Sequence, residues 1–308
     1  MHSNRTLRQT VWLVLLLFTG VGCCVWLFVW LTSDDLRYFV DSSGKPFTVI
    51  QLSATEEPNL QEMPTNSVAL STEGSIVAVK MANLSGDVMS RVWRIPSITS
   101  LWMWHCQLPD DIRSSPPFLQ YLETHDCSMT DQSLLAISKP ETLKSLHLIN
   151  ETLLTAGALS KVVDQNHLTH LTLWYIPSLE SAHFSVNASS VNQLALLQLT
   201  GDTIDDAVLR QLSAGGNLRI LFIDNTVISE GAVADALLAN PKLEELVVSD
   251  CPISIETLRQ AGTLSNLRNL MATHISADSN QLEQLRADLL LRHPQAKIRL
   301  YSARDQKK

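Results

Sequence analysis

One period governs most of this chain. The pattern L-x-x-L-x-L, with other aliphatic residues tolerated at its apolar positions, starts at Ile76, Ile98, Leu119, Leu143, Leu168, Leu194, Leu218, Leu243 and Leu267. Successive starts are 22, 21, 24, 25, 26, 24, 25 and 24 residues apart. The stretches LRILFIDNTVI (Leu218 to Ile228) and LEELVVSDCPI (Leu243 to Ile253) show the repeat most plainly. Alternation at the second and third apolar positions predicts a short strand. The residues that follow must return the chain as a helix or turn. One such unit cannot bury its own apolar face, so neighbours stack and share a continuous core. The expected fold is an α/β solenoid, with a curved parallel sheet on its concave side and helices on its convex side.

The pattern extends past the strands. The eighth position after each start holds Cys106, Cys127, Asp202, Thr226 and Cys251, and the tenth holds Met129, Leu153, Ile204, Ile228 and Ile253. Polar pairs then follow at Thr130-Asp131, Asp205-Asp206 and Ser229-Glu230, with Ser254 in the next repeat. A short side-chain oxygen there can accept from the free amides of a first helical turn. The stretch LQYLETHDCSMTDQSLLAI (Leu119 to Ile137) resembles the cysteine-containing leucine-rich repeats of the ribonuclease-inhibitor-like type. TAGALS and SEGAVA are similar to the Gly-Ala helix starts of some bacterial repeats of that class. The resemblance covers about Ile76 to Tyr301 and implies that Cys106, Cys127 and Cys251 turn inward and bond loop backbone. The first two repeats are short, and Pro177 stands where the helix after Leu168 should begin.

The flanks divide the remaining chain. Residues 11–31 (VWLVLLLFTGVGCCVWLFVWL) carry no charge. At roughly 1.5 Å per helical residue they span the roughly 30 Å core of a bilayer. Trp12 and Trp30 sit near the two ends, where indoles favour the interface. A cleaved signal peptide is the rival reading, but its apolar region is normally shorter. Gly22-Cys23 also faintly resembles a lipidation site, against which stand Gly20 and the apolar run from Val25 to Leu31. Arg5 and Arg8 before the span, with Asp34, Asp35 and Arg37 after it, place residues 1–10 in the cytoplasm and the rest outside. Residues 32–75 read as a tether and possible N-terminal cap, 76–280 as repeats, and 281–308 as a capping helix, last strand and tail.

Strand residues alternate faces, so the intervening positions line the concave side. Aromatics and histidines crowd its N-terminal half. Trp102, Trp104, Tyr121, His125, His147 and Trp174, with Phe222 further along, form the candidate ligand-binding face. Clustered exposed rings commonly mark a contact site. The competing expectations are that the capping segment folds over these rings, or that they only stack across strands. His125, His147 and His170 step diagonally over three strands and read as polar surface rather than as a metal site. Cys106 and Cys127 fall in adjacent repeats, within possible disulfide range.

Function classes narrow by charge and motif. The net charge of -8 argues against a nucleic-acid partner. No G-x-S-x-G, Walker loop, H-E-x-x-H or G-x-G-x-x-G is present, and no cofactor is implied. Asn83, Asn150 and Asn187 head glycosylation sequons, which matter only in a eukaryotic cell. The leading expectation is a non-catalytic, membrane-anchored repeat domain that binds a protein or surface ligand outside the cytoplasm. The alternative is a structural spacer that associates with copies of itself.

Overall fold

The computed structural model describes residues 45, 47–51, 63–71, 73, 75–84, 89, 92–108, 112, 115–138, 141–179 and 183–303. The apolar span at residues 11–31 lies outside them. Among the described residues no helix is long and apolar enough to cross a membrane.

Twelve strands form one sheet in unbroken sequence order. They are β1 (Thr48–Gln51), β2 (Ser67–Leu70), β3 (Ile76–Ala82), β4 (Ser100–Trp104), β5 (Tyr121–His125), β6 (Ser145–Ile149), β7 (His170–Trp174), β8 (Leu196–Thr200), β9 (Ile220–Asp224), β10 (Glu245–Ser249), β11 (Asn269–Ile275) and β12 (Lys297–Ser302). From β3 onward every neighbour is parallel, and equivalent repeat positions face each other: Leu101 meets Leu122, Leu146 meets Leu171, and Leu221 meets Leu246. One pairing departs from the all-parallel expectation. β2 and β3 are antiparallel, with Ala69 opposite Ala78. The link from Ser71 to Ser75 is too short for a parallel crossover, which needs a dozen or more residues. β1 then adds parallel to β2.

Six described helices return the chain: α1 (Asp131–Ile137), α2 (Ala156–Gln165), α3 (Asp206–Ser213), α4 (Glu230–Ala239), α5 (Ile255–Ala261) and α6 (Ser279–Arg292). Their starts are set by short polar side chains. Thr130, Thr155, Asp205, Ser229, Ser254 and Asp278 each accept from a first-turn amide. The caps also connect repeats. Asp131 accepts from both the backbone and the hydroxyl of Thr155 at 2.7 Å. Asp206 does the same for Ser229 at 2.5 Å. Each N-terminal carboxylate thus compensates the positive end of its own helix while fixing the next one. After β7, the segment beginning at Pro177 turns without forming an α-helix among the described residues. Leu179, Phe184 and Val191 fill the core there instead.

Burial follows the alternation. Leu101 and Met103, Leu146 and Leu148, Leu197 and Leu199, and Leu221 and Ile223 point into one core shared with the helices. Their neighbours along each strand face the open side. In one repeat the tenth-position expectation shifts: Leu154 is buried, while Leu153 is 54 % exposed. Asp202 is likewise exposed. The eighth-position column has a member that its chemistry concealed. Glu151 is fully buried and accepts from the amides of Cys127 (3.0 Å) and Met129 (2.9 Å) in the preceding loop. Burial pushes its carboxyl above the ordinary range, and those two amides only partly offset this. Cys106, Cys127 and Cys251 are buried free thiols, so the bridge that adjacency allowed between Cys106 and Cys127 is not formed. Their sulfurs instead reach loop carbonyls, Cys106 that of Trp104 at 3.4 Å and Cys127 that of His125 at 3.3 Å.

The residue after each strand core is held left-handed in every repeat. Asn83, His105, Asp126, Asn150, Tyr175, Asn225, Asp250 and His274 have φ between 48° and 57°, and Gly201 has φ 127°. Asparagine and aspartate tolerate this region. At His105 and Tyr175 the ladder continues through the left-handed residue. His105 donates its amide to the His125 carbonyl at 2.8 Å, and Tyr175 to that of Thr200 at 2.8 Å.

Candidate functional site

Strand register turns the open face into three rows. The first passes through Ser100, Tyr121, Ser145 and His170; the second through Trp102, Glu123, His147 and Thr172; the third through Trp104, His125, Ile149 and Trp174. Side chains in these rows are neighbours at one strand spacing, roughly 4.8 Å.

Glu123 sits at the centre. Its carboxylate accepts from the Tyr121 hydroxyl and lies 2.6 Å from Nε2 of His125. Burial alone would raise the Glu123 pKa. The hydrogen bonds from His125 and Tyr121, with the charges of His147 and His125, outweigh it and hold the carboxyl below its usual range. The Tyr121 phenol is pushed up, first by burial and then by this carboxylate. His125 lies between two indoles, with ring centroids 6.0 Å from Trp102 and 5.6 Å from Trp104. His147 sits 5.1 Å from the Tyr121 ring. It is held by Ser145 Oγ at 2.8 Å and Thr172 Oγ1 at 2.9 Å. Burial lowers its pKa to about 4, keeping it neutral at pH 7. The third histidine, His170, bonds Thr169 instead. Among the described residues, no group of three His, Cys, Asp or Glu side chains could hold a metal ion.

The N-terminal segment reaches part of this face. Met63, Ala69 and Ala78 form a small apolar cluster against which Trp102 and Tyr121 pack. The Lys80 ammonium lies 3.8 Å from the Trp102 ring centroid, a cation–π contact. Trp102 is therefore half-buried under Lys80 and the segment around Met63. Trp104 and Trp174 are not covered: they are 44 % and 37 % exposed. Phe222 is half-buried on β9, next to Gln198 and Val247, two strands beyond the Trp174 strand. The structure thus brings Trp102, Trp104, Tyr121, His125 and His147 together and sets Trp174 and Phe222 progressively apart.

Glu123, Ser145 and Thr172 are the polar members that an aromatic-centred reading of the sequence leaves out. They occupy the same outward rows, so the alternation itself was the signal. The left-handed residues His105, Asp126, Asn150 and Tyr175 were also passed over. Their signal was a column of Asn and Asp seven positions after the repeat starts.

No family model matches the chain, and no curated protein matches it. Among solved structures it is similar to an internalin from Listeria monocytogenes str. 4b F2365, at 15 % identity and a TM-score of 0.44, over 78 % of this chain and 72 % of that chain. The chain's own register decides the architecture: one parallel strand per repeat of about two dozen residues, with leucines facing inward. It is an α/β solenoid built on one largely parallel sheet. Stacked repeats of this kind present one extended open face.

Proposed function

We propose that this chain is a non-catalytic recognition module, held at a membrane by residues 11–31, that binds a protein partner through the open face of its N-terminal repeats. Trp104 carries this reading. It is a large ring left 44 % exposed on a row where a small residue would serve the fold equally well. It stands beside Trp102, Tyr121, His125 and His147, which are ordered by hydrogen bonds and ring contacts. Rigid aromatics lose little entropy on docking and contribute much of the energy at protein interfaces. Trp174 and Phe222 extend the same face toward the C-terminus. The Glu123 carboxylate is taken up by Tyr121 and His125, while the Trp102 indole nitrogen is buried without a partner, an arrangement that favours binding over catalysis.

Affinity capture from detergent-solubilised membranes tests this, with the full-length chain as bait. A specific protein should be retained by the native chain and lost with Trp104→Ala. Retention unaffected by Trp104→Ala and Trp174→Ala would remove the site from this face. Placement outside the cytoplasm is tested separately. Protease added to intact cells or spheroplasts should digest the repeats, and protection in demonstrably permeable preparations would reverse the orientation.

A further inference from the structure

A second feature lies along the edge where the strands end. The left-handed column sets His105 beside Trp104 and Tyr175 beside Trp174. The paired rings lie 5.7 Å and 6.3 Å apart by centroid. Trp104 and Trp174 are three strands apart in the same row, about 14 Å at the usual strand spacing. Between the two ring pairs the row carries His125 and Ile149, and the left-handed column beside it carries Asp126 and Asn150. Asn150 donates its side-chain amide to Asp126, and His105 Nδ1 is 3.8 Å from the same carboxylate. Gly201 closes the far end. A side chain there would meet the Tyr175 ring at 3.3 Å, and its φ of 127° disfavours any other residue. Tyr175 therefore lies against bare backbone and stays 44 % exposed.

The chemistry of this trough selects its ligand. Among the described residues it holds no lysine or arginine, so an anion finds no counter-charge among them. The described carboxylate, Asp126, is already shared with Asn150 and faces His105, so a cation gains little there. What remains is a neutral ligand with flat apolar faces and hydrogen-bonding edges. A pyranose ring has that form: C–H groups on its faces, hydroxyls on its rim. Carboxylate, amide and imidazole groups offer both donors and acceptors to such hydroxyls. The distance between the two ring pairs suits a short chain of sugars rather than a single one.

We propose that this rim binds a neutral oligosaccharide, with sugar faces on Trp104 and Trp174 and hydroxyls on Asp126 and Asn150. It rests on the reading that Trp104 and Trp174 are contact residues, but assigns them a different edge and a different ligand chemistry.

A glycan array probed with the full-length chain, followed by calorimetric titration of the retained sugars, tests it. Neutral linear oligosaccharides should be retained, with monosaccharides weaker. Trp104→Ala and Trp174→Ala should each weaken binding about tenfold or more, as expected for a contact ring. Leu238→Ala, on the exposed side of α4, should change nothing. Unchanged thermal midpoints in the tryptophan variants exclude misfolding as the cause. Retention of only charged glycans, of none, or of neutral glycans indifferent to both tryptophans would overturn the proposal. An empty array with Trp104-dependent protein capture would sink the saccharide and leave the protein-binding reading standing. Glycan binding without protein capture would do the reverse.

Discussion

The two halves of the solenoid share a core and differ in what they show to solvent. From β8 to β12 the open face carries aliphatic and single polar side chains, among them Leu196, Gln198, Ile220, Phe222, Val247 and Met271, with Asp224, Glu245 and an Asn269 that donates to Glu245. Phe222 is its one described Phe, Tyr or Trp before β12. From β4 to β7 the same rows carry indoles, imidazoles and a half-buried carboxylate, linked to one another. Yet the inward columns are alike, Leu146 and Leu148 in one half matching Leu221 and Ile223 in the other. A solenoid therefore needs its leucines and does not need its tryptophans on the outward rows. The excess chemistry of the N-terminal half is available for contact.

The shared core gives the largest expected effect. Leu221→Ala should cost roughly 2–5 kcal/mol, the range for a truncated core leucine. Arg219 is two residues away, 62 % exposed and paired with Glu244, and Arg219→Ala should change stability by no more than about 0.5 kcal/mol. Denaturant melts that gave equal losses would break the assigned register in the C-terminal half.

The inward eighth column sharpens the contrast between halves. In the C-terminal half it pairs neutral groups, Thr226 with the Cys251 thiol at 3.3 Å. In the N-terminal half it depends on the Glu151 carboxylate. Glu151→Ala would strand two buried amides, at about 1–3 kcal/mol for each lost partner. Equilibrium unfolding should show a loss of roughly 2–6 kcal/mol, larger than that of Thr226→Val. Similar losses at both positions would mean that the carboxylate has no special role.

Protonation separates the halves more gently. The folded-state pKa of His147 is about 4, against about 6.5 for an unperturbed histidine. The unfolded chain then binds the proton more readily between those values, so stability rises with pH through that window and falls as pH drops toward 4. At about 1.4 kcal/mol per pH unit, the full loss is about 3–4 kcal/mol, reached only below pH 4. His147→Gln should flatten the pH–stability profile between pH 4 and 6.5. A profile unchanged by that substitution would show that His147 is solvated like any surface histidine.

How much of this could be read beforehand depended on how local its cause is. The strand register, the inward leucines and the caps at Thr130, Asp205, Ser229 and Ser254 follow from residue type and spacing, and the structure carries all of them. The left-handed column was harder to see because His105, Tyr175 and His274 are not turn-forming residues. At His105 and Tyr175 the ladder to the neighbouring strand runs through that conformation. Glu151 escaped notice because a carboxylate in a buried column violates the composition rule that finds such columns. Leu153 and Leu154 exchanged roles through a one-residue shift that the leucine pattern tolerates. On the candidate face, alternation placed every ring on the open side. The partial cover over Trp102 comes from Met63, a contact between segments that no short-range pattern encodes.

The central claim is that the exposed aromatics of the N-terminal repeats serve contact rather than the scaffold. Thermal unfolding of Trp104→Ala beside Trp93→Ala tests it most directly. Trp93 is 3 % exposed in the shared core, whereas Trp104 is 44 % exposed on the outward row. Trp93→Ala should cost about 3–5 kcal/mol and lower the midpoint by roughly 6–20 °C. Trp104→Ala should move it by no more than about 2 °C, as for a surface substitution of about 0.5 kcal/mol. A Trp104→Ala midpoint that falls as far as that of Trp93→Ala would make Trp104 part of the scaffold and contradict the account.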